Sequence, residues 1–147
     1  MNKRITIGLF LALFTACISL PAQTLKDAIR LTENEQYDLA ADAFRKLISV
    51  APAGGGGAEY YYFGENYLLS DDKDSARIIF TKGQAADPAN MLNTIGLAKI
   101  ELDNGNPENG KKMIEDALAK AGRKNVQVMM EAADALIHNK TKNLDRA

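Results

Sequence analysis

The fold of this chain is decided by residues 60–88, which read YYYFGENYLLSDDKDSARIIFTKGQAADP. The stretch divides at its acidic centre into two segments, and each carries aromatic, apolar or small residues at the i, i+3, i+4 spacing of a helix face. The first face holds Tyr60, Phe63, Gly64 and Tyr67, and the second holds Ala76, Ile79, Phe80 and Gly83. We therefore expect two antiparallel helices, with glycine letting their axes approach closely.

The same pattern recurs on both sides of this stretch. Phe44 and Phe80 are 36 residues apart, and Phe80 and Ile114 are 34 apart. An aromatic residue followed by Leu-Gly, Tyr, Ala, Phe and Pro, at a period of about 34 residues, is the signature of the tetratricopeptide repeat (TPR). Residues 60–88 resemble this family. The resemblance implies an all-α chain folded as a right-handed α-solenoid of antiparallel helix pairs.

This register predicts three TPR units and one extra helix in a domain spanning 23–147. We place the units at about 24–52, 57–88 and 91–122, with a partial fourth at 125–147. The third unit departs from the family pattern at Thr94 and Glu101, where large aromatic or apolar side chains are usual.

Local signals predict how individual helices begin and end. Asp38 can cap the second helix, whose predicted buried stripe begins at Leu39, and Asp72 or Asp74 can cap the fourth. In the turn before Pro107, Gly105 supplies a positive φ and the proline starts the next helix.

A run of four glycines at 54–57 invites comparison with phosphate-binding loops. Such a loop needs glycines at set offsets together with Lys-Ser/Thr or a preceding strand, and this run has neither. We interpret it as a flexible connection between repeats. Two extra glycines there account for a spacing of 36 where the family period is about 34.

Residues 1–22 have the organisation of a secretory signal peptide. Lys3 and Arg4 precede an apolar run at 5–20 that is too short and wrongly flanked for a membrane span, and small or turn-forming residues follow it. Cleavage after Ala22, or one residue later, is expected to leave a mature chain without a transmembrane helix. The resemblance implies a bacterial protein exported to the periplasm or associated with the outer membrane.

Cys17 allows two interpretations. Residues 14–17, Phe-Thr-Ala-Cys, loosely resemble a lipobox, in which the cysteine would carry a lipid anchor; against this, Phe stands where Leu is preferred and the apolar run continues past the cysteine. The alternative is that the cysteine is removed with the signal peptide. No disulfide is expected within the chain in either case, because this is its sole cysteine.

Composition and charge exclude several classes of protein. A chain of 147 residues that is 46% hydrophobic and 25% charged is ordinary globular material of about one domain. Its net charge of −1 becomes −3 once Lys3 and Arg4 are removed with the leader. The chain therefore lacks the basic footprint that phosphate backbones require, and we predict no nucleic-acid partner.

The last predicted helix runs from about residue 126 to His138 and carries a broad apolar face. That face comprises Val128, Met129, Ala132, Ala133, Leu136 and Ile137. A repeat array normally ends with a helix whose outer face is polar, because no neighbour covers it. We therefore predict that the sequence is the N-terminal part of a longer repeat protein. The alternative is that this helix caps the array and the tail frays.

In the TPR family the first helices of the repeats line a concave groove, and the resemblance assigns groove positions here. They are Leu25 and Ile29 in the first repeat, Tyr61, Glu65, Leu68 and Leu69 in the second, and Leu92, Ile95, Lys99 and Leu102 in the third. Such a groove suits an apolar extended segment or an amphipathic helix, with Tyr61 as an anchor. Alternatively, several of these side chains only complete packing between helices or contact the chain's own N-terminal segment. The family's carboxylate clamp of basic residues is not reproduced, so recognition of a C-terminal carboxylate is not expected.

No set of residues points to catalysis. The sole histidine, His138, stands at a predicted helix end with no cysteine or second histidine near it, so neither a zinc site nor a nucleophilic triad can be assembled. Acid pairs such as Asp71-Asp72 fit solvated helix starts. We therefore predict no enzymatic activity, no cofactor and no metal.

Two functions remain as hypotheses. The first is a non-enzymatic scaffold in the bacterial cell envelope that binds a segment of a partner protein through its groove. The alternative is a structural spacer or attachment module of a longer protein whose activity lies downstream of Ala147.

Overall fold

The computed structural model describes residues 24–51, 56–122 and 125–144, with side chains described as far as His138. All regular structure in these ranges is helical, so the predicted all-α class is confirmed. The helices are α1 (Leu25–Glu33), α2 (Tyr37–Ser49), α3 (Gly57–Leu69), α4 (Lys73–Ala86), α5 (Leu92–Asp103), α6 (Pro107–Ala121) and α7 (Val126–Leu144). None of the helices in these ranges is long and apolar enough to cross a membrane. The signal peptide at 1–22, the anchor at Cys17 and glycines 54 and 55 lie outside the described residues.

Packing follows the order of the chain. Each helix packs against the next one, and α1, α3, α5 and α7 also contact one another in succession. α2 contacts α1 and α3, α4 contacts α3 and α5, and α6 contacts α5 and α7. The odd-numbered helices are therefore neighbours along one side, and each even-numbered helix packs between two of them.

Phe80 occupies the tightest part of the core. Its ring is fully buried and lies against Gly64 of α3 and Gly96 of α5, where an added Cβ at either glycine would overlap the ring. The close approach predicted at Gly64 is therefore confirmed. A second cluster forms around the stacked rings of Phe44 and Phe63, whose centroids are 5.5 Å apart.

Several predicted helix ends are confirmed. The side chain of Asp72 accepts a hydrogen bond from the Ser75 backbone N–H at 3.0 Å and caps α4. Gly105 has a φ of 81°, and Pro107 is the first residue of α6. These signals are reliable because each is local: the cap depends on the aspartate side chain, and the turn depends on a backbone conformation that glycine favours.

Three local predictions are wrong. Gln36, not Asp38, precedes α2, and Asp38 lies in the first turn without capping it. Leu39 is 57% exposed and lies outside the buried stripe of α2. His138 does not end its helix, since α7 continues to Leu144. Sequence patterns place a helix more securely than they place its first and last turn.

At the two positions where the predicted register expects large apolar residues, Thr94 and Glu101, polar bridges join α4 and α5. Glu101 accepts a hydrogen bond from Arg77 at 2.8 Å, and Thr94 accepts one from Gln84 at 2.8 Å. The bond from Arg77 is the main reason that the pKa of Glu101 lies below its ordinary value. The departures at these two positions are therefore accommodated within the same helix packing.

A buried asparagine ties the first helix pair to α3. Asn66 accepts a hydrogen bond from the Thr32 hydroxyl at 2.8 Å and donates one to the backbone oxygen of Tyr37 at 3.2 Å. A buried polar group that loses its partner is destabilising, because water no longer solvates it.

Replacement of Asn66 by alanine is expected to lower the free energy of unfolding by about 1.5 kcal/mol, because two buried hydrogen bonds, from the Thr32 hydroxyl and to the Tyr37 carbonyl, are lost. Urea denaturation followed by circular dichroism measures the change. Asn34→Ala is the matched control: Asn34 is exposed, and its loss is expected to change stability by less than about 0.5 kcal/mol. Equal effects of the two substitutions would contradict a structural role for the buried amide.

Candidate functional site

A charged cluster joins three of the odd-numbered helices. The Nζ atom of Lys99 on α5 lies 3.1 Å from Glu65 Oε2 on α3 and 3.1 Å from Glu131 Oε2 on α7. Asp134 of α7 contributes a third carboxylate, with its Oδ2 atom 3.6 Å from the same nitrogen. We refer to Lys99, Glu65, Glu131 and Asp134 as the Lys99 cluster.

Tyr61 lies beneath this cluster. Its hydroxyl donates a hydrogen bond to Glu131 Oε2 at 2.5 Å and accepts one from Lys99 Nζ at 3.1 Å. The side chain is 0% exposed, and its ring packs on Phe80 and Tyr62. Burial, reinforced by the nearby Glu65 carboxylate, raises the pKa of Tyr61 above its ordinary range, so the phenol stays protonated and acts as a donor.

The Lys99 cluster holds more negative than positive charge. Burial raises the pKa of Glu65; Lys99 opposes this shift, whereas Glu131 and Asp134 add to it. Burial disfavours the charged form of Lys99, but Glu65 and Glu131 outweigh it, and the pKa of the ammonium is raised. Three carboxylates share one ammonium, so the formal charge of the Lys99 cluster is negative and would attract a second cation.

One carboxylate oxygen in this cluster has no hydrogen-bond partner. Glu65 Oε2 pairs with Lys99, but Glu65 Oε1 is buried and accepts no hydrogen bond from any described residue. Buried carboxylate oxygens are normally satisfied, so an unpartnered one requires an explanation. Among the described residues, Glu65 Oε1 and Asn93 Oδ1 are both buried without a hydrogen-bond partner, and of the two only Glu65 belongs to the Lys99 cluster.

Two pockets flank Glu65 in the described part of the chain. The α1 pocket, of about 150 Å³, lies between α1, α3 and α7. The α5 pocket, of about 170 Å³, lies between α3, α5 and α7. Glu65 and Leu69 line both pockets, so these two side chains form the border between them. The residues that line the α1 pocket are Ile29, Thr32, Glu33, Phe44, Tyr61, Tyr62, Glu65, Leu69 and Glu131.

The structure brings five of the ten predicted groove residues together. They line the α5 pocket, and they are Glu65, Leu68, Leu69, Lys99 and Leu102. The two groove residues predicted in the first repeat lie apart from these five. Ile29 lines the α1 pocket, whereas Leu25 packs against the cluster around Phe44 and Phe63. Leu92 is buried.

The expectation that Tyr61 offers an exposed anchor is wrong for this structure. Its side chain is covered where α7 reaches across to α3, and Ile95 is likewise fully buried. For these two residues the alternative interpretation holds, since they complete packing between helices. Among the described residues, Glu131 of α7 contacts the Tyr61 hydroxyl; the N-terminal segment that the sequence also suggested lies outside the described residues, which begin at Thr24.

Four residues of these sites could not be predicted from the sequence: two acidic residues of α7 and two residues that line the α1 pocket. Glu131, Asp134, Glu33 and Tyr62 were not assigned to any site. One signal was available: Glu65 and Lys99 are 34 residues apart, so opposite charges occupy equivalent positions of successive repeats. Glu131 falls 32 residues after Lys99, outside that register.

The described residues contain no group of three or more His, Cys, Asp or Glu side chains arranged to hold a metal ion. Comparison of the chain with family models, with curated proteins and with solved structures found no match. The resemblance to the TPR family accordingly rests on the residue spacing given above.

Proposed function

We propose that this chain is a non-enzymatic protein–protein interaction module of TPR type that binds a segment of a partner protein on the side formed by α1, α3, α5 and α7. The observation that supports this function best is the pair of adjoining pockets on that side. Their volumes of about 150 and 170 Å³ are small for a small-molecule site, which typically measures about 300–1,000 Å³. Two small pockets side by side suit successive side chains of a peptide.

The proposed architecture is a right-handed α-solenoid. The pairs α1–α2, α3–α4 and α5–α6 would be the three repeats, and α7 would open the fourth. Sequential packing and the contacts among the odd-numbered helices support this arrangement, because each unit of such an array contacts only its neighbours. The organisation of residues 1–22 supports export to the bacterial cell envelope, in the periplasm or at the outer membrane, with lipidation at Cys17 as one mode of attachment.

Selection from a displayed peptide library tests the interaction function, with Leu69→Ala as the diagnostic variant. Leu69 is 61% exposed and borders both pockets, whereas the equally exposed Leu39 lies on α2 and lines neither. We expect selected peptides to bind Leu69→Ala about tenfold more weakly, equivalent to about 1.4 kcal/mol, and to bind Leu39→Ala unchanged. Fluorescence anisotropy measures both affinities.

Two outcomes would overturn the interaction function on this side. The first is a selection that enriches no peptide. The second is a set of enriched peptides that bind Leu69→Ala and Leu39→Ala equally well, since their site would then lie elsewhere.

The spacer or attachment function is the second candidate, and the outer face of α7 favours it. Val128, Ala132 and Ala135 are buried, but Val126 and Met130 are exposed on the same helix. In a repeat array, such an apolar face is covered by the next unit. An empty peptide selection would favour this function over peptide binding.

A further inference from the structure

We infer that the partner segment is basic and that the α1 pocket receives one of its lysine or arginine side chains. The inference rests on the proposed interaction function and adds the chemical class of the partner. It follows from the charge of the pocket, from the unpartnered oxygen of Glu65 and from the apolar walls.

The charge of the α1 pocket is negative. Three carboxylates line it, those of Glu33, Glu65 and Glu131, and no lysine, arginine or histidine is among the described residues that do so. Lys99 does not line the pocket, but its single ammonium pairs with Glu65 and Glu131 and also contacts Asp134. A cation entering the pocket would therefore meet Glu33 and the part of the charge on Glu65 and Glu131 that one shared ammonium does not neutralise.

The hydrogen-bonding state of Glu65 points to the same ligand. Its Oε1 atom is covered and accepts no hydrogen bond within the described structure, so a donor in the α1 pocket reaches it once the Glu65 side chain turns towards that pocket. Lysine brings three N–H donors and arginine five, and neither has an acceptor that would repel the carboxylates. A charge-assisted hydrogen bond from such a group is stronger than one from a neutral donor.

The walls of the α1 pocket suit the remainder of a long basic side chain. Ile29, Tyr62 and Leu69 present apolar surface along which an aliphatic stem can lie while its charged end reaches the carboxylates. The aromatic ring of Tyr62 adds a surface that attracts cations. The pocket thus combines an apolar wall with acidic end groups.

The other classes of side chain fit less well. A neutral apolar group would remove water from the three carboxylates without replacing its hydrogen bonds, and an acidic group would add a fourth negative charge. Rejection of these competitors is as much a source of specificity as attraction of the correct ligand. The charge of the α1 pocket is opposite in sign to that of the carboxylate clamp in the family that the sequence resembles, which consists of basic residues.

A matched set of fluorescein-labelled synthetic peptides tests the inference. The probe is an amphipathic peptide of leucine and lysine, and its comparison peptides carry glutamine or glutamate at every lysine position. By fluorescence anisotropy we expect the glutamine peptide to bind at least about tenfold more weakly than the lysine peptide, and the glutamate peptide not to bind. Binding of the lysine peptide should weaken as salt is added, because the carboxylates and the cation are screened.

Glu33→Gln is the diagnostic variant and Glu115→Gln its control. Glu33 is an exposed residue at the rim of the α1 pocket, and Glu115 is an exposed glutamate on α6. Glu33→Gln is expected to weaken binding of the lysine peptide about threefold to tenfold, and Glu115→Gln to leave it unchanged. Circular dichroism of both variants confirms that the fold is intact.

The inference is overturned if the glutamine peptide binds as tightly as the lysine peptide, or if Glu33→Gln and Glu115→Gln weaken binding equally. In the second case the attraction would be a property of net charge alone. Failure of the lysine peptide to bind, while library-selected neutral or acidic peptides do bind through Leu69, would overturn the inference and leave the interaction function standing. An empty library selection would overturn both.

Discussion

Lys99→Met is expected to lower the free energy of unfolding by about 3 kcal/mol, because it leaves the largely covered carboxylates of Glu65 and Glu131 without their cation. Lys99 is 14% exposed and contacts Glu65, Glu131 and Asp134. Methionine occupies the space of the aliphatic part of lysine but carries no charge. The hydrogen bond from Lys99 to the Tyr61 hydroxyl is lost as well. Urea denaturation followed by circular dichroism at neutral pH measures the loss.

Lys112→Met is the matched control for this substitution. Lys112 forms an ion pair with Asp116 at 2.7 Å, but on the exposed surface of α6. Water and salt screen an exposed pair of this kind, so the control variant is expected to be nearly as stable as the parent protein. A loss at Lys99 no larger than the loss at Lys112 would show that the Lys99 cluster is solvated and not structural.

The stability loss in Lys99→Met is expected to shrink as the pH falls. Burial already raises the pKa of Glu65 above its ordinary 4.5, and removal of Lys99 takes away the charge that opposes this shift. A carboxyl whose pKa is higher in the folded state binds its proton more tightly when folded. Protonation therefore favours the folded form as the pH falls through the raised pKa towards 4.5. A difference between variant and parent that stays constant with pH would contradict this origin.

Gly64→Ala is expected to lower the free energy of unfolding by about 3 kcal/mol, even though alanine is the better helix former by about 1 kcal/mol. The added methyl group would overlap the ring of Phe80, which also lies directly against Gly96 of α5. Because the ring is fully buried, it can yield only by displacing its neighbours. Thermal or urea unfolding measures the change.

A double-mutant cycle with Phe80→Leu isolates the cause of that loss. A smaller side chain at position 80 gives the new methyl group room, so Gly64→Ala should be less destabilising in the Phe80→Leu background by at least about 1 kcal/mol. Strictly additive losses would locate the penalty of Gly64→Ala somewhere other than the ring of Phe80.

The helices could be predicted from sequence because their signals are local. The i, i+3, i+4 spacing around Phe63 and Phe80 defines helix faces. The side chain of Asp72 caps the start of α4, and Gly105 adopts a positive φ that other residues disfavour. The contact at Gly64 was predictable for a related reason, since a glycine on an otherwise apolar helix face indicates close packing. These features need only residues within the same helix pair.

The candidate site was predicted in part. The repeat register brought Glu65, Leu68, Leu69 and Lys99 to one side of the chain, and the structure places all four at the α5 pocket. The same register indicated an exposed Tyr61, which is buried. The acidic residues that complete the Lys99 cluster lie on α7, and no local pattern connects them with α3.

The sequence by itself determined which residues share a helix face, because that depends only on the geometry of one helix. Tertiary structure alone decided which faces are covered. The hydroxyl of Tyr61 is bonded to Glu131, which follows it by 70 residues, and α7 is held in this position by its packing on α5 and α6. Burial is set by the element that occupies the neighbouring space, and side-chain periodicity carries no information about that element.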